Sequence, residues 1–320
     1  MRNSLGIAAT SLMLVAATLG ASCQKKKRTD GPVTSPTASP TTTPIASPST
    51  SPVAGGGDAG AAAVVEFVPG VDIGALSEAQ RTLFSKLASS LPSPCGKAHS
   101  LETSARTDPA CKRAPYALRY LRRLMQADMT DEEAKAIYDL RYNAKAKPID
   151  VASTPVVGNA TAPVVLVEFF DYQCPHCKHF APTLHALEDK YGSKIAVFYK
   201  NFPLEHFGEK SVRAAQATRA AFLQGKFREM HQQVFEHNDK LADADLIGIA
   251  KGLGLDVQKF KDDLDQPSTK ARIEADKKLG ETLGVEATPT LYFNGREYTD
   301  PKEVADIADW IDEELAQRGQ

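Results

Sequence analysis

A short, almost continuous apolar run near the middle of the chain is the strongest structural signal in the sequence. Val164–Phe170 reads Val-Val-Leu-Val-Glu-Phe-Phe, in which Glu168 is the single polar residue. A run this rich in β-branched and aromatic residues predicts a strand that is covered on both faces of a sheet. Residues 171–173 interrupt the run, and apolar residues then recur at helical spacing from Phe180 to Leu187. The pattern predicts a buried strand that leads directly into a helix.

The chain after this helix continues with alternating strand and helix patterns. Residues 194–199 predict a second strand and residues 289–293 a third. Asn294-Gly295 is a strong signal for a two-residue hairpin turn. Helical patterns occupy the remaining segments, over residues 211–238, 241–253, 257–264, 269–284 and 301–315.

Three amphipathic helices are predicted ahead of the central strand, over residues 76–91, over residues 115–127 and from Thr130 onward. The first and third begin with capping boxes, Ser77 with Gln80 and Thr130 with Glu133. We expect a small helical module at residues 71–146. A second domain follows at residues 147–320, and its first part, residues 147–163, is a connector rich in proline and glycine.

The N-terminal segment, residues 1–22, predicts an export signal. Arg2 precedes an apolar stretch that is too short to span a membrane comfortably, and small residues then precede Cys23. This segment resembles a bacterial lipoprotein signal, which implies a lipid on Cys23. Ordinary cleavage and an uncleaved anchor are the alternatives. Residues 23–70, rich in Ser, Thr, Pro and Gly, predict a disordered tether. We therefore expect a protein on the periplasmic side of a bacterial cell envelope, anchored to the membrane.

Composition and charge narrow the functional classes. The chain has 320 residues, 42% of them hydrophobic, and a formal net charge of -2. This charge gives no general attraction to nucleic acid. The sequence contains no P-loop, no G-x-G-x-x-G motif and no basic stripe with interleaved aromatic residues. We expect no nucleic-acid partner, no cofactor and no bound metal.

The five cysteines fall into three groups: Cys23, the pair Cys95 and Cys111, and the pair Cys174 and Cys177. Exported proteins retain disulfides. A bridge between Cys95 and Cys111 would close a loop of about 15 residues and stabilise the small helical module by about 3 kcal/mol. We expect this bridge to be structural, and a second redox relay is the alternative.

The pair Cys174-Pro175-His176-Cys177 lies at the predicted junction of strand and helix. Cys174 takes the position of a helix N-cap, and Pro175 suits the first helical position. Unpaired N–H groups and the helix dipole favour an anion there, so we expect a reactive Cys174 thiolate. His176 adds positive charge or a donor. Cys177, one turn further on, is expected to be the buried resolving thiol.

This order of elements resembles the DsbA-like thiol–disulfide oxidoreductases of the thioredoxin superfamily. Three segments carry the resemblance: the strand with its C-P-H-C pair, Asn201-Phe202-Pro203-Leu204, and Gly284-Val285-Glu286-Ala287-Thr288-Pro289-Thr290-Leu291. The resemblance covers about residues 159–315. It implies an α/β, thioredoxin-like fold with a helical insertion at about residues 205–284, preceded here by a disordered tether and a small all-α module.

The resemblance also implies roles for individual residues. Pro289 would be cis, face the cysteine pair and keep metal from the thiols. The Thr288 backbone would pair with an extended client chain. His176 would tune the redox potential. Glu168 matches a family glutamate, and a buried strand carboxyl has its pKa raised, which suits a proton acceptor for Cys177. A partly exposed charge at the strand end is the alternative for Glu168.

We therefore expect an exported thiol–disulfide oxidoreductase that acts on cysteine-containing client proteins as a dithiol oxidant, with a membrane or soluble redox partner. A disulfide reductase or isomerase is the alternative direction. Two rivals are a metal-binding protein, with Cys174, Cys177, His176 or His179 as ligands, and a lipid-tethered binding module without turnover. We expect His179 and four other histidines to lie at the surface without a role: His185, His206, His231 and His237.

Overall fold

The computed structural model describes residues 64–319 of the chain. The predicted signal segment, Cys23 and the first part of the predicted tether lie outside the described residues. Within residues 64–319 no helix has both the length and the apolar character needed to cross a bilayer.

The first described elements form the helical module, which also contains a hairpin: β1 (Glu66–Val68), β2 (Val71–Asp72), α1 (Glu78–Ser90), α2 (Leu101–Thr107), α3 (Ala114–Gln126) and α4 (Asp131–Tyr142). Both predicted capping boxes are present, at Ser77 and at Thr130. The inward faces of the helices and the hairpin form one apolar cluster that extends from Val68 to Tyr142.

The hairpin and α2 are features that the sequence pattern did not predict. The Phe67 ring meets the edge of Phe84 with 5.0 Å between ring centroids, and Val68 is buried. These contacts hold β1 on the helices, so the predicted end of the tether at residue 70 is too late. The sequence pattern does not reveal β1, because this short strand directly follows a stretch of Gly and Ala.

The second part of the chain contains the large sheet and its helices: β3 (Val156–Gly158), β4 (Val164–Phe170), α5 (Pro175–Tyr191), β5 (Ile195–Asn201), α6 (Glu209–Phe222), α7 (Phe227–Glu236), α8 (Asp243–Gly252), α9 (Val257–Asp265), α10 (Pro267–Leu283), β6 (Thr290–Phe293), β7 (Arg296–Glu297) and α11 (Val304–Gln317). The predicted strands and the Asn294-Gly295 turn are confirmed. The predicted helix over residues 211–238 is two helices, because the chain turns at Gly225 with φ of 74°.

The sheet has the order β3-β5-β4-β6-β7, with the opening strand of the sequence pattern, β4, at its centre. β4 runs parallel to β5 and antiparallel to β6. Glu168 is in register with Tyr199 on one side and with Leu291 on the other. This arrangement brings the start of β6 next to the end of β4, where the cysteine pair follows.

Alternate residues of β4 face two different apolar clusters. Leu166 and Phe170 belong to the cluster that includes α5, α11 and much of the insertion, whereas Val167 and Phe169 belong to the cluster beside α10. Side chains of a strand alternate between faces, so Glu168 points to the same face as Leu166 and Phe170. Both faces are covered, as the apolar run predicted.

The helical module is attached to the second part through a buried arginine. Arg141 of α4 donates to the carboxylate of Glu313 in α11 at 2.6 Å and to Asp300 at 3.2 Å. Arg141 and Glu313 are both buried. Because a buried charge must be paired and hydrogen-bonded, this contact fixes how α4 lies on α11.

Candidate active site

Cys174 is the N-cap residue of α5, where the sequence pattern placed it. Its backbone is extended, with φ of -72° and ψ of 120°, and Pro175 occupies the first helical position. The side chain is buried, only 4% exposed. The Cys174 thiol donates to the backbone carbonyl of Thr288 at 3.4 Å. The first atoms of α5 and the start of β6 therefore meet at this sulfur.

The Cys174 thiol is strongly acidic. A hydrogen bond from the Cys177 side chain is the main cause, and donors at Thr288 and at the backbone N–H groups of Cys177 and His176 add to it. Together they outweigh the cost of burial and lower the pKa of Cys174 to about 5. A thiol with this pKa is a thiolate at neutral pH and is therefore a nucleophile.

Cys177 has the opposite character. It is fully buried. Burial raises the pKa of its thiol well above the usual range, and the hydrogen bond with Cys174 and the charge of Glu168 raise it further. The backbone N–H of Asp171 lies 3.5 Å from its sulfur. The two cysteines are free thiols in this structure, and they differ strongly in proton affinity.

Glu168 lies in the core, with 1% of its surface exposed. Burial, followed by the charges of Glu188 and Cys174, raises the pKa of Glu168 to about 8. Its Oε2 atom has no hydrogen-bond partner. The alternative of a partly exposed strand-end charge therefore does not apply. Glu168 holds a proton at neutral pH, and its charge, when ionised, raises the pKa of the Cys177 thiol.

The Thr288 carbonyl meets the Cys174 thiol, although Thr288 is more than a hundred residues away in sequence, and Pro289 follows it. The peptide bond between them is cis. The Thr288 side chain is buried and its Oγ1 atom has no hydrogen-bond partner in the resting thiol form. A donor from this side chain lowers the pKa of both Cys174 and Cys177.

The remaining predicted site residues lie at different places. His176 is exposed at the start of α5, next to Cys174. Cys95 and Cys111 are joined in a disulfide inside the helical module, apart from the cysteine pair. Within residues 64–319 no cluster of three or more His, Cys, Asp or Glu side chains is arranged to hold a metal ion. His179, a ligand in the metal-binding alternative, is exposed.

Asp171 is a site residue that sequence reasoning treated only as the end of the strand. Its buried carboxylate accepts hydrogen bonds from the Gln173 N–H at 2.6 Å, the Leu204 N–H at 2.7 Å and the Ser211 hydroxyl at 2.7 Å. These bonds tie the cysteine turn to the loop after β5 and to α6. An acidic residue directly after a buried strand was the signal that could have identified it.

His231 corrects the prediction that it lies at the surface. It is 1% exposed, and its Nδ1 atom is 2.9 Å from the hydroxyl of Tyr172. Burial lowers the pKa of His231 well below its usual value. His231 lies one turn from Phe227 and one turn from Phe235 on α7, both of which are buried. Its position on this apolar face was the missed signal.

Comparison with known proteins agrees with this geometry. A family model described as "Thioredoxin" matches residues 150–313. Curated relatives include the Na(+)/H(+) antiporter NhaA 1 of Mycobacterium sp. (strain KMS), 32% identical over 163 residues, which are 50% of this chain and 27% of that protein. NhaA 3 of Salinispora tropica is 34% identical over 154 residues, 48% of this chain and 24% of that protein. The chain thus spans about a quarter of the length of these relatives.

Solved structures of similar chains include a thioredoxin-like oxidoreductase from Silicibacter pomeroyi DSS-3, with 28% identity and a TM-score of 0.46, covering 57% of this chain and 98% of that one. BdbD from Bacillus subtilis has 26% identity and a TM-score of 0.48, and the match covers 54% of this chain and 98% of that one. The predicted thioredoxin-like fold with a helical insertion is confirmed, and the family match is consistent with the predicted enzyme class, a protein thiol–disulfide oxidoreductase. The chain belongs to the thioredoxin family.

Proposed function

We propose that this protein is an exported thiol–disulfide oxidoreductase that oxidises dithiols of client proteins through Cys174 and Cys177. The observation that carries the proposal is the contrast between the two thiols: the pKa of Cys174 is lowered to about 5, whereas that of Cys177 is raised. A thiolate stabilised in this way favours the reduced form of the pair. The disulfide form is correspondingly a strong oxidant.

The oxidation proceeds in two exchange steps. A client thiolate attacks the Cys174 sulfur of the Cys174–Cys177 disulfide, and the bonding electron pair passes to Cys177. Glu168, which is protonated at neutral pH, gives its proton to the departing Cys177 thiolate. A second client thiolate then attacks the client sulfur of the mixed disulfide, and Cys174 leaves as a thiolate. The client gains one disulfide, and the protein becomes a dithiol.

Thr288 supports both steps from the other side of the site. Its unpartnered hydroxyl is available to donate to whichever sulfur becomes a thiolate, and its carbonyl accepts from Cys174 only when that sulfur carries a proton, outside the two exchange steps. An extended client chain pairs with the Thr288 backbone by strand addition, beside Pro289. The exposed His176 tunes the potential of the pair from the surface.

The place of action follows from the N-terminal segment. A lipid on Cys23 and the tether behind it hold the domain at a membrane of the bacterial cell envelope, on the periplasmic side. There it meets cysteine-containing exported proteins, and a membrane or soluble redox partner reoxidises the dithiol.

Turnover assays on single-cysteine variants test this function. Cys174→Ser abolishes oxidation of a reduced client protein. Cys177→Ser, offered a client in its disulfide form, accumulates a mixed disulfide, because the Cys174 thiolate attacks the client disulfide, a client thiolate leaves and no second thiol resolves the product. The Cys95→Ala/Cys111→Ala double variant is the matched control, and it retains turnover. Turnover by Cys174→Ser would show that the nucleophile is misassigned.

The reduction potential of the Cys174–Cys177 pair decides the direction of electron flow. A value near about −120 mV, as in the most oxidising relatives, supports the oxidant. A value near about −270 mV, as in thioredoxin, would replace the oxidant with a reductase.

A further inference from the structure

A second buried carboxylate lies on the same side of the sheet as Glu168. Glu188, near the end of α5, is 5% exposed. Its Oε1 atom accepts a hydrogen bond from the Tyr199 hydroxyl, and its Oε2 atom accepts one from Arg228 Nε at 3.0 Å. The Arg228 side chain is 38% exposed and also binds Asp189 at 2.7 Å. Burial raises the pKa of Glu188, whereas the hydrogen bonds from Tyr199 and Arg228 oppose this shift, so the negative charge of Glu188 depends on its pair with the half-exposed Arg228.

Tyr199 connects this carboxylate with Glu168. Tyr199 and Glu168 are paired in register on the adjacent parallel strands β5 and β4, which lie about 4.8 Å apart. Tyr199 belongs to the apolar cluster on the α5 side of the sheet, the side to which Glu168 also points. Its ring thus extends from beside Glu168 to the carboxylate of Glu188. The interior between the two acids is aromatic, so their charges are weakly screened.

The protonation of Glu168 is sensitive to the charge of Glu188, because no hydrogen-bond donor stabilises an ionised Glu168 at its Oε2 atom. The charged and titratable groups that face it come from several elements, and those that act on its proton are Glu188 and Cys174 on α5 and Lys302 ahead of α11. Tyr172, Cys177 and Tyr199 remain neutral because burial raises the pKa of each. His231, whose ring is 4.8 Å from that of Tyr199, is neutral because burial lowers its pKa.

We propose that Glu188, charge-paired with Arg228, is a positioning residue of the redox site that sets the proton occupancy of Glu168 through the core. The proposal rests on the function proposed above, because only a Glu168 that carries its proton can supply it to Cys177. Removal of the Glu188 charge then lets Glu168 release its proton at lower pH. Glu168 would then already be ionised at the exchange step over more of the neutral pH range and could not supply a proton to Cys177.

The test follows the titration of Glu168 itself in the full chain in its dithiol form. The readout is the carboxyl ¹³C shift of labelled Glu168, assigned by comparison with Glu168→Gln. In Glu188→Gln the inflection moves to lower pH by about 0.5 unit or more. Two control variants should leave the inflection near its wild-type position. Glu188→Asp keeps the charge, and Asp189→Asn changes the exposed carboxylate that also pairs with Arg228.

Arg228→Gln provides a second route that leaves the core side chains in place. It removes the counter-charge that lowers the pKa of Glu188, so Glu188 takes up a proton more readily and the Glu168 inflection moves to lower pH, as in Glu188→Gln. An inflection that stays in place in both Glu188→Gln and Arg228→Gln overturns the coupling. Client oxidation is measured separately. A wild-type protein without turnover overturns the proposed function, whereas intact turnover with an unmoved inflection overturns only the role of Glu188.

Discussion

The hydroxyl of Thr288 gives the most direct test of how the site makes a thiolate. Thr288→Val keeps the shape of the side chain and removes the donor that lowers the pKa of Cys174 and Cys177. A hydrogen bond to a charged group is worth about 1.5 to 3 kcal/mol. Its loss should raise the pKa of Cys174 by about 1 to 2 units from its value of about 5.

The same change makes the pair a weaker oxidant. At pH 7, a rise of the Cys174 pKa from about 5 to about 6 or 7 reduces stabilisation of the dithiol by a factor of about 9 to 50. A tenfold change corresponds to about 30 mV for a two-electron couple. We therefore expect the reduction potential of Thr288→Val to fall by about 30 to 50 mV.

Two measurements check this expectation. The ultraviolet absorbance of the thiolate, followed against pH, reports the pKa of Cys174. Equilibration with glutathione reports the reduction potential. Thr290→Val is the matched control, because the Thr290 hydroxyl donates to the Ala287 carbonyl at 2.7 Å and does not serve the sulfurs. If Thr288→Val leaves the Cys174 pKa within about 0.3 unit of wild type, the hydroxyl is not the donor.

Three further predictions concern stability. The folded state keeps a proton on Glu168 up to about pH 8, whereas the unfolded chain releases it near 4.5. Wild type should therefore lose about 3.5 kcal/mol relative to Glu168→Gln between pH 5 and 8, and equal urea-unfolding profiles would contradict this. Buried His231 resists protonation, so its stabilising effect is present above about pH 6.5 and lost below it at about 1.4 kcal/mol per pH unit. His231→Gln should be less acid-sensitive, and an unchanged acid slope would refute the assignment. Cys95→Ala/Cys111→Ala, which opens a loop with a sequence separation of 16, should lower the unfolding free energy by about 3 kcal/mol, and calorimetry showing no loss would exclude a structural role.

Local sequence rules predicted much of the site because they act over a few residues. The apolar run ends at Phe170, and Cys174 then caps α5 with Pro175 at the first helical position. The N-cap position requires only an extended residue followed by a helical turn. The single acidic residue in this apolar strand, Glu168, likewise predicted a buried carboxyl from the sequence.

The features that the pattern missed depend on how separate elements pack. The sequence places His231 on the same face of α7 as Phe227 and Phe235, but the packing of α7 against Phe170 and Tyr172 is what buries it. The three bonds of Asp171 reach the loop after β5 and the start of α6. No short-range rule specifies which distant donor meets a given carboxylate.

The sequence by itself determined the order of strands and helices, the hairpin at Asn294-Gly295 and the N-cap position of Cys174. Each depends on the conformational preferences of neighbouring residues. The tertiary structure decided how strongly the two thiols differ. The register of β4 with β6 brings Thr288 to the sulfurs, and the register with β5 places Tyr199 between Glu168 and Glu188. Proton affinities respond to burial and to charges held nearby, and the fold sets both by bringing distant parts of the chain together.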